Sequence, residues 1–149
     1  MKWLMIYHLL KLNRRPSKIL GMIFSLKKRL ITIFPFQIMK QGDIYFVRFD
    51  PSIGHEYRKT RPAIVIQSEE ISNISSLVTV MPISSHIERC QEPDIPVERD
   101  EKNRLAKDSV IMVRRISTFD QSRFKRKIGE ASSPVLRKVR GYLRKHFAL

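Results

Sequence analysis

The sequence predicts a mainly β domain with a C-terminal helix, closed into a small barrel-like fold. Three observations predict it. Short runs of strand-forming residues recur between turn signals from residue 44 onward. One of them, Asp94-Ile95-Pro96-Val97-Glu98, alternates polar and apolar around a proline and so belongs at a sheet edge. The last stretch, opened by Ser133-Pro134, has helical rather than strand periodicity.

The elements follow in order. Ile44-Tyr45-Phe46-Val47-Arg48-Phe49 is the first strand and ends at the Asp50-Pro51 turn signal. Residues 52–60 are polar, contain Gly54 and form a loop. Pro62-Ala63-Ile64-Val65-Ile66 is a buried second strand starting at Arg61. Residues 67–76 make a turn or one helical turn, and Leu77–Met81 is the third strand, followed by Pro82-Ile83-Ser84-Ser85-His86. After the edge strand, Ser109–Val113 is a fifth strand and Lys127–Glu130 a weak sixth. In the helix, Ser133 serves as N-cap and Pro134 occupies the first turn. Leu136, Val139, Leu143 and Phe147 line one face, with Arg137, Lys138, Arg140, Arg144 and Lys145 opposite.

Composition bounds the function. The 149 residues carry 29 Lys and Arg against 14 Asp and Glu, a net charge of +15 that points to a polyanionic partner, nucleic acid or an anionic membrane surface. All acidic residues lie at or after Asp43, and eight of the basic ones lie in residues 1–38, which leaves +7 for residues 39–149. Residues 1–38 form a basic apolar extension, and Met39-Lys40-Gln41-Gly42-Asp43 has the form of a natural beginning for a domain of 111 residues. The uncharged runs of the extension are Trp3–Leu10, Ile19–Leu26 and Leu30–Met39, all far short of the roughly 20 residues of a membrane helix, so stable membrane insertion is not expected. Lys11, Arg14 and Arg15 interrupt what would be the apolar region of a signal peptide.

The single cysteine, Cys90, cannot form an internal disulfide and lies in no nucleophile signature. The four histidines, His8, His55, His86 and His146, show no metal-ligand spacing, and no glycine-rich phosphate loop occurs, so neither metal nor cofactor is expected.

The chemically informative stretch is Gly42-Asp43-Ile44-Tyr45, then Phe49-Asp50-Pro51, Gly54-His55-Glu56 and Arg61-Pro62-Ala63-Ile64-Val65-Ile66, with a second match from Asp108-Ser109-Val110-Ile111 to Thr118-Phe119-Asp120. In that order these motifs resemble the MazF/PemK family, the endoribonuclease toxins of toxin–antitoxin pairs. The resemblance covers Met39 to the terminal helix. It implies an SH3-like barrel that forms a homodimer in the cytoplasm, cleaves single-stranded RNA without a metal, is silenced by a cognate antitoxin protein, and meets DNA only through the antitoxin complex.

The resemblance maps the family's catalytic arginine onto Arg61. It maps a hydroxyl residue, usually threonine, onto Ser84, which keeps the hydroxyl but lacks the methyl that stiffens threonine. Residue chemistry agrees. When a ribose 2′-oxygen attacks the adjacent phosphorus, negative charge gathers on the phosphoryl oxygens, and Arg61 offers a planar fork of donors with Ser84 adding one more. Arginine's pKa above about 12 makes it a poor proton acceptor, so the base is sought at His55 or Glu56. Tyr57, Arg58 and Lys59 replace the glutamine and glycine that relatives often carry after the glutamate, giving a ring for base stacking and two cations. Arg114 and Arg115 extend the RNA-binding surface, although relatives place a glutamate at the position of Arg114.

On residue type alone each of these has a plainer reading. Arg61 is a strand-edge cation, His55 a solvated loop residue, Ser84 a turn hydroxyl, and Glu56 a partner for Arg58 or Lys59. Asp43 and Asp120 are expected to cap turns. Two rival functions share the barrel. A gyrase-poisoning toxin of the CcdB type would end in an aromatic-glycine-aliphatic motif, where this chain has Phe147-Ala148-Leu149. A catalytically degenerate RNA- or antitoxin-binding relative would account for Ser84 and Arg114.

Overall fold

The structure is a computed structural model that describes residues 38–50 and 59–149. The chain divides between Phe36 and Gln37, and the described strands and helices belong to the second unit. Seven strands, β1 (Asp43–Arg48), β2 (Thr60–Val65), β3 (Leu77–Ser84), β4 (Ile95–Val97), β5 (Ser109–Ile111), β6 (Ser117–Asp120) and β7 (Phe124–Glu130), are joined by helix α1 (Glu69–Ser72) and closed by helix α2 (Ser133–His146). The strands run in the order β4-β5-β3-β2-β1-β7, and β6 pairs with the first half of β3. Every pairing is antiparallel.

Two-residue alternation explains why the central strands are apolar on both faces. Ile44, Ile64, Met81 and Ile83 point into one core, which α2 covers with Val139 and the half-buried Val135 and Leu136. Tyr45, Val47, Ala63, Val65, Val78 and Val80 point into a second core, closed by Met39, Phe49 and Phe124. Gly42, at φ +97°, makes the turn that starts β1, where Asp43 caps the Lys40 N–H at 3.0 Å.

Three expectations need correction. The third strand continues through Pro82 to Ser84. It can do so because Pro82 stands where β3 passes from pairing with β6 to pairing with β5, so the missing N–H falls at the corner, while its carbonyl still accepts from Met112 N–H at 2.9 Å. Ser117–Asp120 is a strand that periodicity did not reveal, four residues long and half exposed. The fifth strand stops at Ile111, because Met112 enters a turn closed by Arg115 N–H at 3.0 Å.

The helix differs in detail. Its N-cap is Ser132, with extended backbone and no side-chain cap bond, so Ser133 is the first helical residue. Phe147 lies beyond the last turn, 56% exposed and edge-on to His146, and is not part of the apolar face. Pro96 is at the sheet edge as expected.

Asp120 caps the short 3-10 turn at Gln121–Arg123 by accepting from Ser122 N–H at 2.9 Å. Hydrogen bonds from the Ser122 side chain and backbone hold its carboxyl below the usual range. A carboxyl depressed on folding stabilises the native state above its unfolded pKa of about 4, and that contribution fades as pH falls through the lower folded value. Thermal melts from pH 5 to pH 2 are therefore expected to show Asp120→Asn destabilised relative to wild type at pH 5, with the gap narrowing below about pH 4. A gap independent of pH would contradict this reading.

Candidate active site

β2 and β3 carry two of the expected site residues, Arg61 and Ser84, on neighbouring strands. Arg61 stands opposite Val47 of β1. On its other side β2 pairs with β3, Ala63 opposite Pro82. From that pair β2 runs back two residues to Arg61 and β3 runs on two residues to Ser84. Alternation puts Arg61 on the face of Ala63 and Val65, and Ser84 on the face of Val78 and Val80, which is the same side of the sheet. Arg61 is half-buried, whereas Ser84 is 5% exposed and paired with Val110 of β5. A strand residue so enclosed is held in place, which a preorganised hydrogen-bond donor requires.

Ser84 Oγ accepts a hydrogen bond from the His86 backbone N–H at 3.2 Å. That bond occupies a lone pair and leaves the hydroxyl's own proton available for donation. The exposed His86 ring turns to Glu88, Nδ1 to Oε1 at 2.9 Å. Glu88's carboxyl is held below its usual range, first by a hydrogen bond at its own backbone and then by the His86 ring.

The stem of the β1–β2 loop is firmly tied. Phe49 N–H donates to Lys59 O at 3.0 Å, and Lys59 N–H donates to the Asp50 carboxylate at 2.7 Å. Arg123 Nη1 donates to the carbonyls of Phe49 and Asp50 at 3.3 and 2.9 Å while its guanidinium lies over the Phe119 ring. Lys59, at φ +67°, takes a left-handed conformation that glycine would adopt without strain. The loop itself, residues 51–58, and with it His55, Glu56, Tyr57 and Arg58, lies outside the described residues.

Arg114 and Arg115 occupy the turn between β5 and β6, both exposed. Arg114 is committed to a partner that sequence reading missed. Its Nη2 lies 3.5 Å from Oδ2 of Asp94, whose side chain has no exposed surface. An acid before an edge strand carries no signal of burial, so only the structure could find it. Lys127 is likewise committed. Burial would lower its pKa, but bonds to Asp43 and Glu130, both at 2.7 Å, outweigh burial and raise it. Of the Lys125-Arg126-Lys127 run, Arg126 lies over the Phe46 ring, 5.3 Å from its centroid. Among the described residues no group of three or more His, Cys, Asp or Glu is placed to hold a metal ion. No described helix is long and apolar enough to cross a membrane.

The comparison that decides the family is a match of residues 40–147 to the PemK-like, MazF-like toxins of type II toxin–antitoxin systems. The chain belongs to this family. It is 32% identical over 103 residues to the endoribonuclease MazF of Staphylococcus saprophyticus, a match covering 68% of this chain and 85% of that protein. In fold it is similar to MazF from Deinococcus radiodurans, with a TM-score of 0.65 at 23% identity over 76% of this chain and 99% of that one. The MazE–MazF complex from the same organism gives a TM-score of 0.59 at 23% identity, covering 76% and 98%. The expected architecture, a mainly β SH3-like barrel with a C-terminal helix, is thus the MazF fold.

Proposed function

We propose that this chain is the endoribonuclease toxin of a toxin–antitoxin pair and that its cleaving centre is built on Arg61 and Ser84. The family membership supports the activity. The observation that supports the assignment of the centre is the β2–β3 pairing of Ala63 with Pro82, from which Arg61 and the enclosed Ser84 each stand two residues along their strands.

The chemistry follows from these groups. The ribose O2′ loses its proton and attacks the adjacent phosphorus, forming the O2′–P bond. The P–O5′ bond breaks, and its electron pair leaves on O5′, which takes a proton from water. The products are a 2′,3′-cyclic phosphate and a 5′-hydroxyl. In the transition state the nonbridging oxygens gather charge, which Arg61 meets with two parallel donors and Ser84 with one. Proton removal falls to His55 or Glu56. Tyr57, Arg58, Lys59, Arg114 and Arg115 bind the RNA strand on either side. No metal is needed, because the protein itself supplies the countercharge.

The cognate antitoxin is the expected protein partner, a second copy of the chain completes a homodimer, and DNA is met only through the antitoxin complex. The protein acts in the cytoplasm. Residues 39–149 carry the activity, and residues 1–38 are an extension to it.

Incubating the full chain with mixed-sequence RNA in EDTA tests the function; discrete cleavage is expected, and intact RNA would refute it. A second test isolates the hydroxyl. Ser84→Ala is expected to slow cleavage about 100-fold, the lower end for loss of one preorganised donor. Ser84→Thr, which keeps the hydroxyl, is expected to stay within about tenfold of wild type. Equal rates for the alanine variant and wild type would remove Ser84 from the mechanism.

A further inference from the structure

Asp94 is the most anomalous polar residue described. Its side chain has no exposed surface, and neither carboxylate oxygen has a hydrogen-bond partner among the described residues. A buried carboxylate without donors is costly. The countercharge it meets is Arg114, with Nη2 3.5 Å from Oδ2, too long for a good hydrogen bond but close enough for strong attraction.

The arginine is placed differently. Its side chain is 52% exposed, so it stays about half open to solvent while Nη2 lies against the enclosed acid, and the fork has further donors to offer. The register locates the pair. β4 and β5 align Ile95 with Ile111, which puts Asp94 level with Met112. Met112 N–H in turn donates to Pro82 O, and Ser117 pairs with Val80. Arg114 therefore lies between the levels of Val80 and Pro82, two to four residues from Ser84, about 7–13 Å along β3. An arginine at that separation is near enough to meet a phosphate beside the one cleaved at Arg61 and Ser84.

We infer that Asp94 is a positioning residue for RNA binding, a buried anchor that holds the Arg114 guanidinium over the sheet edge with its outer donors aimed at a backbone phosphate flanking the scissile one. The anchor suits this chain in particular. An arginine on an exposed turn has many rotamers, and fixing it in advance removes entropy that binding would otherwise lose. The inference rests on the endoribonuclease reading for its ligand.

The rival account, that Asp94 merely neutralises Arg114, predicts the opposite sign. The test is binding of the full chain to an oligoribonucleotide carrying 2′-deoxyribose at the cleavage position, which cannot undergo O2′ attack, alongside cleavage of its all-ribose counterpart. Asp94→Asn, of the same shape without the charge, is expected to weaken binding about tenfold, with kcat within twofold of wild type and Tm unchanged or raised. Arg114→Met is expected to weaken it at least as much and to reduce the salt dependence by one phosphate contact, about 0.7 in the log–log slope. The double variant is expected to match Arg114→Met alone, since an anchor without its arginine has nothing to hold. Arg114→Lys, which keeps the charge but loses the fork, is expected to recover only part of the affinity.

Tighter or unchanged binding by Asp94→Asn would overturn the inference, as would fully additive effects in the double variant. Because binding is measured on an uncleavable strand, a chain that binds with this pattern yet cleaves nothing would refute the enzyme and leave the anchor standing.

Discussion

Arg61→Ala is expected to lower RNA cleavage by about 10²–10³-fold or more while leaving a folded barrel, because in the proposed mechanism it removes the fork of donors that meets the charge developing on phosphorus. Arg61 pairs through its backbone with Val47 in the β1–β2 ladder, and alanine preserves that ladder. Arg61→Lys separates charge from geometry. An ammonium is a point charge that cannot donate two parallel hydrogen bonds, so the lysine variant is expected to recover only a minor part of the rate. Initial rates on one oligoribonucleotide under saturating conditions measure both. Full activity in Arg61→Ala would show that the cleaving centre lies elsewhere.

Among the described glycines, Gly129→Ala is expected to produce the largest loss of stability. Gly129 of β7 stands opposite Ile44 of β1. A β-carbon there would lie 2.3 Å from the Lys102 carbonyl oxygen and 2.6 Å from the Asn103 carbonyl carbon and oxygen. These are backbone atoms and cannot swing aside. The Lys102 carbonyl already accepts from Glu130 N–H at 3.0 Å, and Asn103, itself buried, donates to the Glu98 carbonyl at 2.8 Å. Relief requires moving the whole 98–105 turn off the sheet. We expect about 3 kcal/mol of destabilisation, at the upper end for overpacking. In a domain of this size that lowers the Tm by about 10 °C or more. A Tm within 2 °C of wild type would show that this turn yields freely.

The strands and the helix were legible because each is written in a local period. Ile44 to Phe49, Arg61 to Ile66 and Ser109 to Ile111 are runs of apolar and β-branched residues, and Leu136, Val139 and Leu143 recur at helical spacing. What escaped was whatever depends on a neighbour distant in sequence. The four residues of β6 carry too little pattern to announce a strand, and they become one by lying against Leu77–Val80. Pro82 suggested an end to β3, but the strand passes through it at a corner between two partners.

The site divides in the same way. Arg61 and Ser84 were singled out through the order of motifs around them, which resembles a known family. Nothing in a separation of 23 residues states that their strands pair, and the register supplies that. Asp94 could not have been found at all. Its neighbours Pro93, Ile95 and Pro96 suggest an exposed edge, whereas its carboxylate is enclosed against Arg114. The buried acid gives Arg114 a counterpart that the sequence alone did not show.

The chemistry of the cleaved ends tests directly whether O2′ attacks the phosphorus without a metal. Full-length protein is incubated with a defined oligoribonucleotide in EDTA, and the products are resolved by mass spectrometry. Attack by O2′ yields an upstream fragment ending in a 2′,3′-cyclic phosphate and a downstream fragment beginning with a 5′-hydroxyl, both expected to be suppressed by Arg61→Ala. Fragments that begin with a 5′-phosphate, or cleavage that appears only when a divalent metal is restored, would contradict it.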